Sequence, residues 1–279
     1  MERFNICIVR PPDYLWSSAF SDLADLIAYS LQDNGYQASV TENFFCQKSL
    51  NIVLGCHLLD TSTALQLPKD TIIVNTEQAG SGPEIWRERI LHFVSNFVSW
   101  DYSDKNIELL TRLTGRRPRH FRIGYHPRLH RITRREHEDI DVLFYGAPTI
   151  ERSAILDSIS AEGLKVVKLF GVFGDVRDEL ISRSKIVLNL HQHKSRIFEI
   201  VRAHYLMNNA RVIVSEFHDD TSIDSDYKGG ILFSGPSQLA RCCLETIWSR
   251  GTLETWREKS LHTLMQFDSK NIIADLLEA

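Results

Sequence analysis

The chain has 279 residues, of which 43% are hydrophobic and 24% are charged, the composition of an ordinary globular protein long enough for two domains. Its 32 Lys and Arg residues against 36 Asp and Glu residues give a net charge of −4, which argues against a globally basic nucleic-acid binder. No apolar run approaches the roughly 20 residues of a membrane span, and residues 1–9 lack the pattern of a signal peptide. Since the five cysteines include no CxxC pair, we expect a cytoplasmic protein.

The first part of the chain alternates short apolar runs with stretches of helical periodicity. The pattern predicts a strand at 5–9, which ends at two prolines, and a helix over 15–31. Further strands are predicted at 37–41, 51–59, 70–75, 97–100 and 120–123, and a further helix at 101–114. The run at 51–59 is apolar on both faces, which is typical of a strand in a helix-covered parallel sheet.

Residues 115–139 have an unusual composition, with eight arginines and four histidines. We predict that 126–140 is a linker between two domains, because its high charge and its proline interrupt the periodicity on either side. The arginines of 115–139 would contact an anionic acceptor, such as a nucleic acid, or pair with acids of the neighbouring domain. We favour the pairing, since no stretch interleaves basic and aromatic residues as nucleic-acid-binding motifs do.

The second part of the chain repeats the alternation of strands and helices. Strands are predicted at 141–145, 165–170, 186–190, 211–215 and 231–233, and helices at 150–162, 177–184 and 196–207, before a helical tail at 236–279. This order calls for βαβ units with right-handed crossovers. We therefore predict an α/β fold of two doubly wound, Rossmann-like domains, 1–125 and 141–279, facing a cleft, with ligands at the carboxyl ends of the strands.

The segment 190–202 runs from the end of a predicted strand into a predicted helix. Ser195 fits the N-cap position of that helix, and a helix N-terminus binds anions through its free N–H groups and its dipole. Arg196 would add positive charge, and Glu199 would accept hydrogen bonds from the hydroxyls of a ribose. The alternative is a solvated helix start in which Glu199 pairs with Arg196 or Arg202 at helical spacing.

The motif Arg196-Ile-Phe-Glu199 is followed by a predicted strand that ends in Ser215 and Glu216. This arrangement resembles glycosyltransferases of the GT-B fold, and is most similar to their family-4-type and CgeB-like members. The resemblance covers 120–235 and includes segments 122–127, 141–146, 169–171 and 177–189. It implies an enzyme that transfers a hexose or a similar sugar from a nucleotide-sugar donor to an acceptor.

The resemblance also implies which residues of the second domain bind the donor. Glu199 would bind the ribose hydroxyls, and Arg196 would face the diphosphate. The expected donor-binding residues are Tyr145, Gly146, Phe170, Gly171, His191, Arg196, Ile197, Phe198 and Glu199. Met207 stands where family-4 enzymes have a second glutamate, so the pattern leaves both inverting and retaining chemistry open.

An inverting transfer needs a base for the acceptor hydroxyl, and the first domain offers three carboxylates close to the ends of predicted strands. Glu77 is the favoured base, because it follows an apolar strand and precedes a glycine-containing turn at 80–82. Asp13 and Asp101 are its rivals. The alternative for Glu77 is a solvated loop acid, and His57 is interpreted as a core histidine.

Two short patterns are compatible with a metal, but we expect none to be required. His191 and His193 have no identifiable third ligand, and Asp224-Ser-Asp226 matches the DxD motif of another glycosyltransferase fold but lies late in the chain. The dipole of a helix N-terminus and nearby basic side chains would stabilise the leaving diphosphate instead. The nucleotide sugar is then a substrate, and no cofactor is expected.

Two other functions fit the same pattern, namely non-catalytic binding of a nucleotide or sugar and epimerisation of a nucleotide sugar on the GT-B fold. The acceptor stays open among a glycan, a protein, a small molecule and a nucleic acid. An oligomer is equally compatible with the amphipathic tail, which would serve a core or a partner.

Overall fold

The computed structural model describes residues 2–278, apart from the side chain of Arg250. The chain divides into two compact units, each an α/β domain around a parallel sheet, as the alternation of periods predicts. The first unit runs to His126 and resumes at Asp268, and the second runs from Pro127 to Phe267. Within the described residues, no helix is both long enough and apolar enough to cross a membrane.

The first unit is built on a parallel sheet whose strands, within residues 2–278, follow the order β2-β1-β3-β4-β5-β6. They are β1 (Arg3–Ile8), β2 (Gln37–Glu42), β3 (Leu50–Leu54), β4 (Ile72–Asn75), β5 (Val98–Asp101) and β6 (Arg119–His120). The connecting helices are α1 (Ser21–Asp33), α2 (Glu84–Asn96) and α3 (Asp104–Thr114). The order reverses between β1 and β3, so a topological switch point lies there.

The second unit repeats this topology, with its described strands in the order β11-β10-β9-β7-β8. They are β7 (Ile140–Tyr145), β8 (Val166–Leu169), β9 (Ser184–Asn189), β10 (Ile213–Glu216) and β11 (Leu232–Ser234). The helices are α4 (Ile150–Ala161), α5 (Gly174–Ser182), α6 (Ile200–Asn208), α7 (Leu239–Trp248) and α8 (Arg250–Met265). The switch point of this sheet lies between β7 and β9, where ligands of open α/β sheets bind.

The C-terminal helix, α9 (Ser269–Glu278), belongs to the first unit. Ser30 of α1 donates to the hydroxyl of Ser269 at 2.9 Å, and Arg119 donates to the backbone oxygen of Leu276 at 2.6 Å. The predicted boundary, which assigned the whole tail to the second domain, therefore has to be corrected. The sequence pattern of an amphipathic helix shows which of its faces is apolar, but it does not show which of the two domains that face packs against.

Residues 127–140, predicted as a linker, are built into the second unit. Asn209 accepts hydrogen bonds from the backbone N–H groups of Arg131 and Ile132 at 2.7 and 2.8 Å, and donates to the backbone oxygen of Leu129 at 2.9 Å. His130 is 2.8 Å from the backbone oxygen of Asn208. One asparagine at the end of α6 thus holds the segment that the composition predicted to be a linker.

The acid Glu138 in this segment is surrounded by arginines of the second unit. The side chain of Glu138 is 7% exposed and accepts two hydrogen bonds from Arg257 at 2.8 and 2.7 Å. Arg134 lies 3.4 Å and Arg211 3.9 Å from the same carboxylate. Burial lowers the pKa of Arg211 to about 10. Arg134 also pairs with Glu254 of α8 at 2.7 Å, and Arg135 pairs with Glu179 of α5 at 2.7 Å, so these two arginines of the segment pair with acids outside it.

The first unit differs from the pattern-based prediction in several places, of which two are informative. The run 51–59 contains β3 and then a short 3-10 turn (Cys56–Leu58), because Gly55 adopts a left-handed φ of 88° that ends the strand. Helix α2 was not predicted, since its sequence mixes apolar and charged residues and only Ile90, Phe93 and Val94 are buried along it. Its short apolar stripe gives a weak helical signal.

We expect Glu138→Gln to lower the free energy of unfolding by about 3 kcal/mol, because it leaves buried Arg211 and Arg257 without their shared carboxylate. Urea denaturation followed by circular dichroism measures the change. Glu179→Gln is the matched control, since Glu179 pairs with Arg135 at 2.7 Å on the surface and should contribute less than about 1 kcal/mol. Equal losses in the two variants would contradict a buried role for Glu138.

Candidate functional site

The switch point of the second unit is organised by Arg152, a residue of α4 that is 1% exposed. Its guanidinium donates to three backbone oxygens, those of Ala147, Leu190 and His191, at 2.8, 2.6 and 3.2 Å. Ala147 follows β7, and Leu190 and His191 follow β9, so one side chain joins the two loops that border the switch point. The sequence pattern does not single out Arg152, because a single arginine in a helix is usually solvated.

Glu199 lies between two arginines at this point. Its carboxylate is 3.4 Å from Arg152 and 2.9 Å from Arg202, and its side chain is 16% exposed. The guanidinium of Arg202 lies 5.3 Å from the ring centroid of Tyr145, the last residue of β7, and contacts the side chain of Asn189 at 3.4 Å. The predicted pairing of Glu199 with Arg202 is thus present. Arg152, Glu199 and Arg202 together carry one net positive charge, and the carboxylate of Glu216 acts electrostatically on Arg152 as well.

The glycine after β7 has little room for a side chain. A Cβ on Gly146 would lie 3.2 Å from the ring of Phe144, 3.3 Å from Arg202 and 3.4 Å from Arg152. The backbone therefore approaches both guanidinium groups closely. After β8, Phe170 is 52% exposed and Gly171 adopts a left-handed φ of 70°, which favours glycine.

The start of α6 differs from the prediction. The helix begins at Ile200, so Glu199 and not Ser195 takes the N-cap position, without a side-chain capping bond. Ile197 instead forms an isolated parallel β-bridge with Ser222, whose backbone bonds to Arg196 and Phe198, and Ile197 and Phe198 are both buried. The predicted helical turn at 196–199 is therefore wrong, because pairing with the distant segment overrides local helical spacing.

Arg196 does not lie within the Glu199 cluster. Its φ is 47°, and its guanidinium pairs with Asp220 at 2.6 Å in a contact whose side chains are 36% and 59% exposed. This pairing lowers the pKa of Asp220. The arginine that does lie beside Glu199 is Arg202, the third residue of α6.

A second polar cluster follows the ends of β9 and β10. Glu216 accepts a hydrogen bond from the backbone N–H of His191 at 3.0 Å, and lies 2.6 Å from Nε2 of His218. The Nε2 atom of His191 is 3.3 Å from Thr221, while its Nδ1 atom is buried and has no hydrogen-bond partner among the described residues. Burial lowers the pKa of His191, which favours its neutral form.

Among the described residues, neither the His191 and His193 pair nor the Asp224 and Asp226 pair belongs to a group of three potential metal ligands. Within residues 2–278, no three His, Cys, Asp or Glu side chains are grouped so that they would hold a metal ion. Asp224 accepts a hydrogen bond from the backbone N–H of Asp226 at 3.1 Å and so caps a short 3-10 turn (Ser225–Gly230). Independence of a metal stays a prediction.

In the first unit, Glu77 lies in the loop after β4 with its side chain 27% exposed. Its Oε1 atom is 3.8 Å from Nε2 of His57, whose ring lies 4.6 Å from that of Trp86. His57 is 2% exposed, and burial lowers its pKa to about 4, so the imidazole is neutral near pH 7. It follows β3 in a turn rather than lying within the strand. Asp13 is exposed and has a φ of 61°.

Asp101 is the last residue of β5, where a helix start was predicted, and it is fully buried. Its carboxylate accepts hydrogen bonds from Asn75 at 2.6 Å, from the backbone N–H of Ser103 at 2.9 Å, and from Asn106 at 3.2 Å to each oxygen. Burial raises its pKa to about 7, against the opposing effect of these bonds. Because its side chain is fully buried, Asp101 cannot contact the hydroxyl of a sugar acceptor in this structure.

Comparison with known proteins shows the fold and leaves the family open. No family model matches the chain. Two proteins of Acanthamoeba polyphaga mimivirus, "Uncharacterized protein L138" and "Uncharacterized protein L137", are 26% identical to it over 155 and 187 residues. Those matches cover 54% and 60% of this chain, which spans only 15% and 23% of the two viral proteins.

Solved structures match the whole chain at low sequence identity. HepE of Anabaena in complex with UDP and glucose has a TM-score of 0.64 at 10% identity, covering 100% of this chain and 99% of HepE. BGT of phage T4 with its UDP-glucose substrate has a TM-score of 0.58 at 11% identity, covering 100% and 98%. AviGT4, a glycosyltransferase involved in avilamycin A biosynthesis, has a TM-score of 0.56 at 11% identity, covering 100% and 96%. The fold of this chain is that of GT-B glycosyltransferases.

We expect Asp101→Asn to destabilise the protein by about 1–3 kcal/mol, because every hydrogen-bond partner of Asp101 is a donor, and the new amide nitrogen cannot accept from these donors as both carboxyl oxygens do in either protonation state. Since the pKa of Asp101 is higher folded than unfolded, wild-type stability falls as pH rises from about 4 to about 7, and the variant lacks this dependence. Urea denaturation at pH 5 and pH 8 should therefore show a smaller difference at pH 8. A difference that grows with pH would contradict the raised pKa.

Proposed function

We propose that the chain is a glycosyltransferase that transfers a sugar from a nucleotide-sugar donor to an acceptor hydroxyl, within the family-4-type and CgeB-like group. The observation that carries the proposal is the position of Glu199 between Arg152 and Arg202 at the switch point of the second sheet. Proteins of the same fold have been solved with UDP, UDP and glucose, or UDP-glucose, which supports the same class of ligand here.

The donor would bind to the second unit through charge and shape. The Glu199 carboxylate would accept hydrogen bonds from the ribose hydroxyls, since it is partly exposed and its orientation is fixed by two arginines. Arg202 would contact the diphosphate, and Arg152, whose N–H groups are bonded to the loops, would add positive charge from beneath. Tyr145, Gly146, Phe170 and Gly171 would line the pocket of the base and the phosphates, with His191 beside them and with Arg196, Ile197 and Phe198 in the segment before Glu199. These charges supply the leaving-group stabilisation that a metal ion provides in other enzymes.

The first unit would supply the base. Glu77 is the partly exposed carboxylate at the carboxyl end of β4, and we assign proton removal from the acceptor to it, with exposed Asp13 as the alternative. In an inverting transfer the acceptor oxygen would attack the anomeric carbon as Glu77 takes its proton, while the nucleoside diphosphate leaves with the electrons of the broken bond. Glu77 would regain its free form by releasing that proton to water.

A reducing compartment such as the cytoplasm fits the cysteines. Cys7, Cys56 and Cys243 are buried free thiols, and burial raises the pKa of each, which keeps them protonated and unreactive. The nucleotide sugar is the one ligand that this proposal requires.

We expect Glu199→Ala to weaken binding of UDP about 10- to 100-fold, because a charge-assisted hydrogen bond to the ribose is lost. Isothermal titration calorimetry measures the affinity. Glu245→Ala is the matched control, since Glu245 is an exposed glutamate that pairs with Arg241 at 2.7 Å on α7. Unchanged UDP affinity in the Glu199 variant would rule out the assigned donor contact.

We expect Glu77→Gln to keep UDP affinity within about twofold and to reduce release of UDP from UDP-glucose at least 100-fold, because the amide cannot accept the proton. A coupled assay for UDP, run with and without candidate acceptors, gives the rate. Asp13→Asn serves as the comparison for the second exposed carboxylate. If the Asp13 variant loses turnover and the Glu77 variant keeps it, the roles must be exchanged.

A further inference from the structure

The backbone of Glu77 is held at both of its polar atoms by asparagine side chains. Its carbonyl oxygen accepts hydrogen bonds from Nδ2 of Asn75 at 2.9 Å and from Nδ2 of Asn106 at 2.8 Å. Its N–H group is 3.3 Å from Oδ1 of Asn75. Two residues further on, the N–H group of Ala79 donates to Oδ1 of Asn106 at 3.1 Å. The loop is therefore fixed where it carries the Glu77 side chain.

Asp101 determines the orientation of both asparagine amides. When Asp101 is ionised, above its pKa of about 7, its carboxylate accepts hydrogen bonds and donates none, so the N–H₂ groups of Asn75 and Asn106 face it, at 2.6 and 3.2 Å. Their oxygens are then left for the N–H groups of Glu77 and Ala79. If either amide turned over, its oxygen would oppose the carboxylate and the loop would lose its acceptor.

The burial of Asp101 lowers the stability of the fold, so folding alone does not explain this arrangement. Asp101 is 0% exposed, and its hydrogen-bond donors, two side-chain amides and one backbone N–H, are uncharged. A buried carboxylate without a cation costs free energy, and such groups concentrate where geometry serves function. The cost here falls directly beneath the loop that carries Glu77.

We propose that Asp101 acts through Asn75 and Asn106 as a positioning residue, which fixes the backbone of Glu77 so that its carboxylate meets the acceptor hydroxyl. The inference rests on the proposed role of Glu77 as the base. A misplacement of about 1 Å at a reacting group lowers turnover about 100-fold, so the loop must be held more closely than folding requires.

The first test measures the loop without any substrate. In Asn106→Ala, amide hydrogen exchange should accelerate at least tenfold at Glu77 and Ala79, while the amides of β4 and β5 keep their protection. Asn51→Ala is the matched control, because Asn51 is equally buried and holds the loop at Cys46 through bonds of 2.8 and 2.9 Å. Asp101→Asn should reproduce the change at Glu77 and Ala79. Unchanged exchange at both amides in Asn106→Ala would overturn the proposal.

The second test asks whether the loop matters for chemistry. With UDP-glucose as the donor, Asn106→Ala should lower kcat for UDP release about 10- to 100-fold and leave KM within about twofold, whereas Asn51→Ala should leave both unchanged. The double variant Glu77→Gln/Asn106→Ala should be no slower than Glu77→Gln alone, since the two changes remove one function. Equal kcat values for Asn106→Ala and Asn51→Ala, or additive losses in the double variant, would overturn positioning of a catalytic group. Absence of UDP release from the wild type would count against the proposed function, while hydrogen exchange would still decide whether Asp101 holds the loop.

Discussion

A parallel sheet leaves the loops at its carboxyl edge without neighbouring strands to pair their backbone groups, and buried backbone groups need partners. In each unit of this protein, one buried ionisable side chain helps to meet that constraint. In the second unit, the guanidinium of Arg152 donates hydrogen bonds to three loop carbonyl oxygens. In the first unit, the carboxylate of Asp101 orients the amides that hold the loop after β4. The shape of both carboxyl edges depends on these two residues.

The same two residues place the groups to which we assign chemistry. Arg152 contacts Glu199 directly, and with Arg202 it makes a cluster in which a carboxylate is fixed inside positive charge. Such a cluster suits a ligand that carries both hydroxyl groups and phosphates. Asp101 acts on Glu77 through two asparagine amides that bond to the backbone of Glu77. The carboxylate of Glu77, the proposed base, therefore stays partly exposed. Structural polar groups thus lie beneath, and the proposed functional carboxylates lie at the surface of each edge.

The sequence carried enough information for the fold class, because short strands and helical periodicity alternate through the whole chain. It also located Glu199 close to a strand end. It did not predict Arg152, whose role comes from carbonyl groups that meet only after folding. The bridge from 196–198 to Ser222 removed the predicted helical turn for the same reason, since the two segments are distant along the chain. Asp101 was predicted at a helix start, and its burial under the loop after β4 depends on contacts that no local pattern contains.

The central claim is that the second unit binds a nucleoside diphosphate through the carboxylate at the N-cap of α6. Calorimetric titration of UDP and of its 2′,3′-dideoxy analogue tests this contact most directly, because the two ligands differ only in the hydroxyls that Glu199 is assigned to bind. We predict that UDP binds and that the dideoxy analogue binds at least about tenfold more weakly. Equal affinity for the two ligands, or no binding of UDP, would contradict this account.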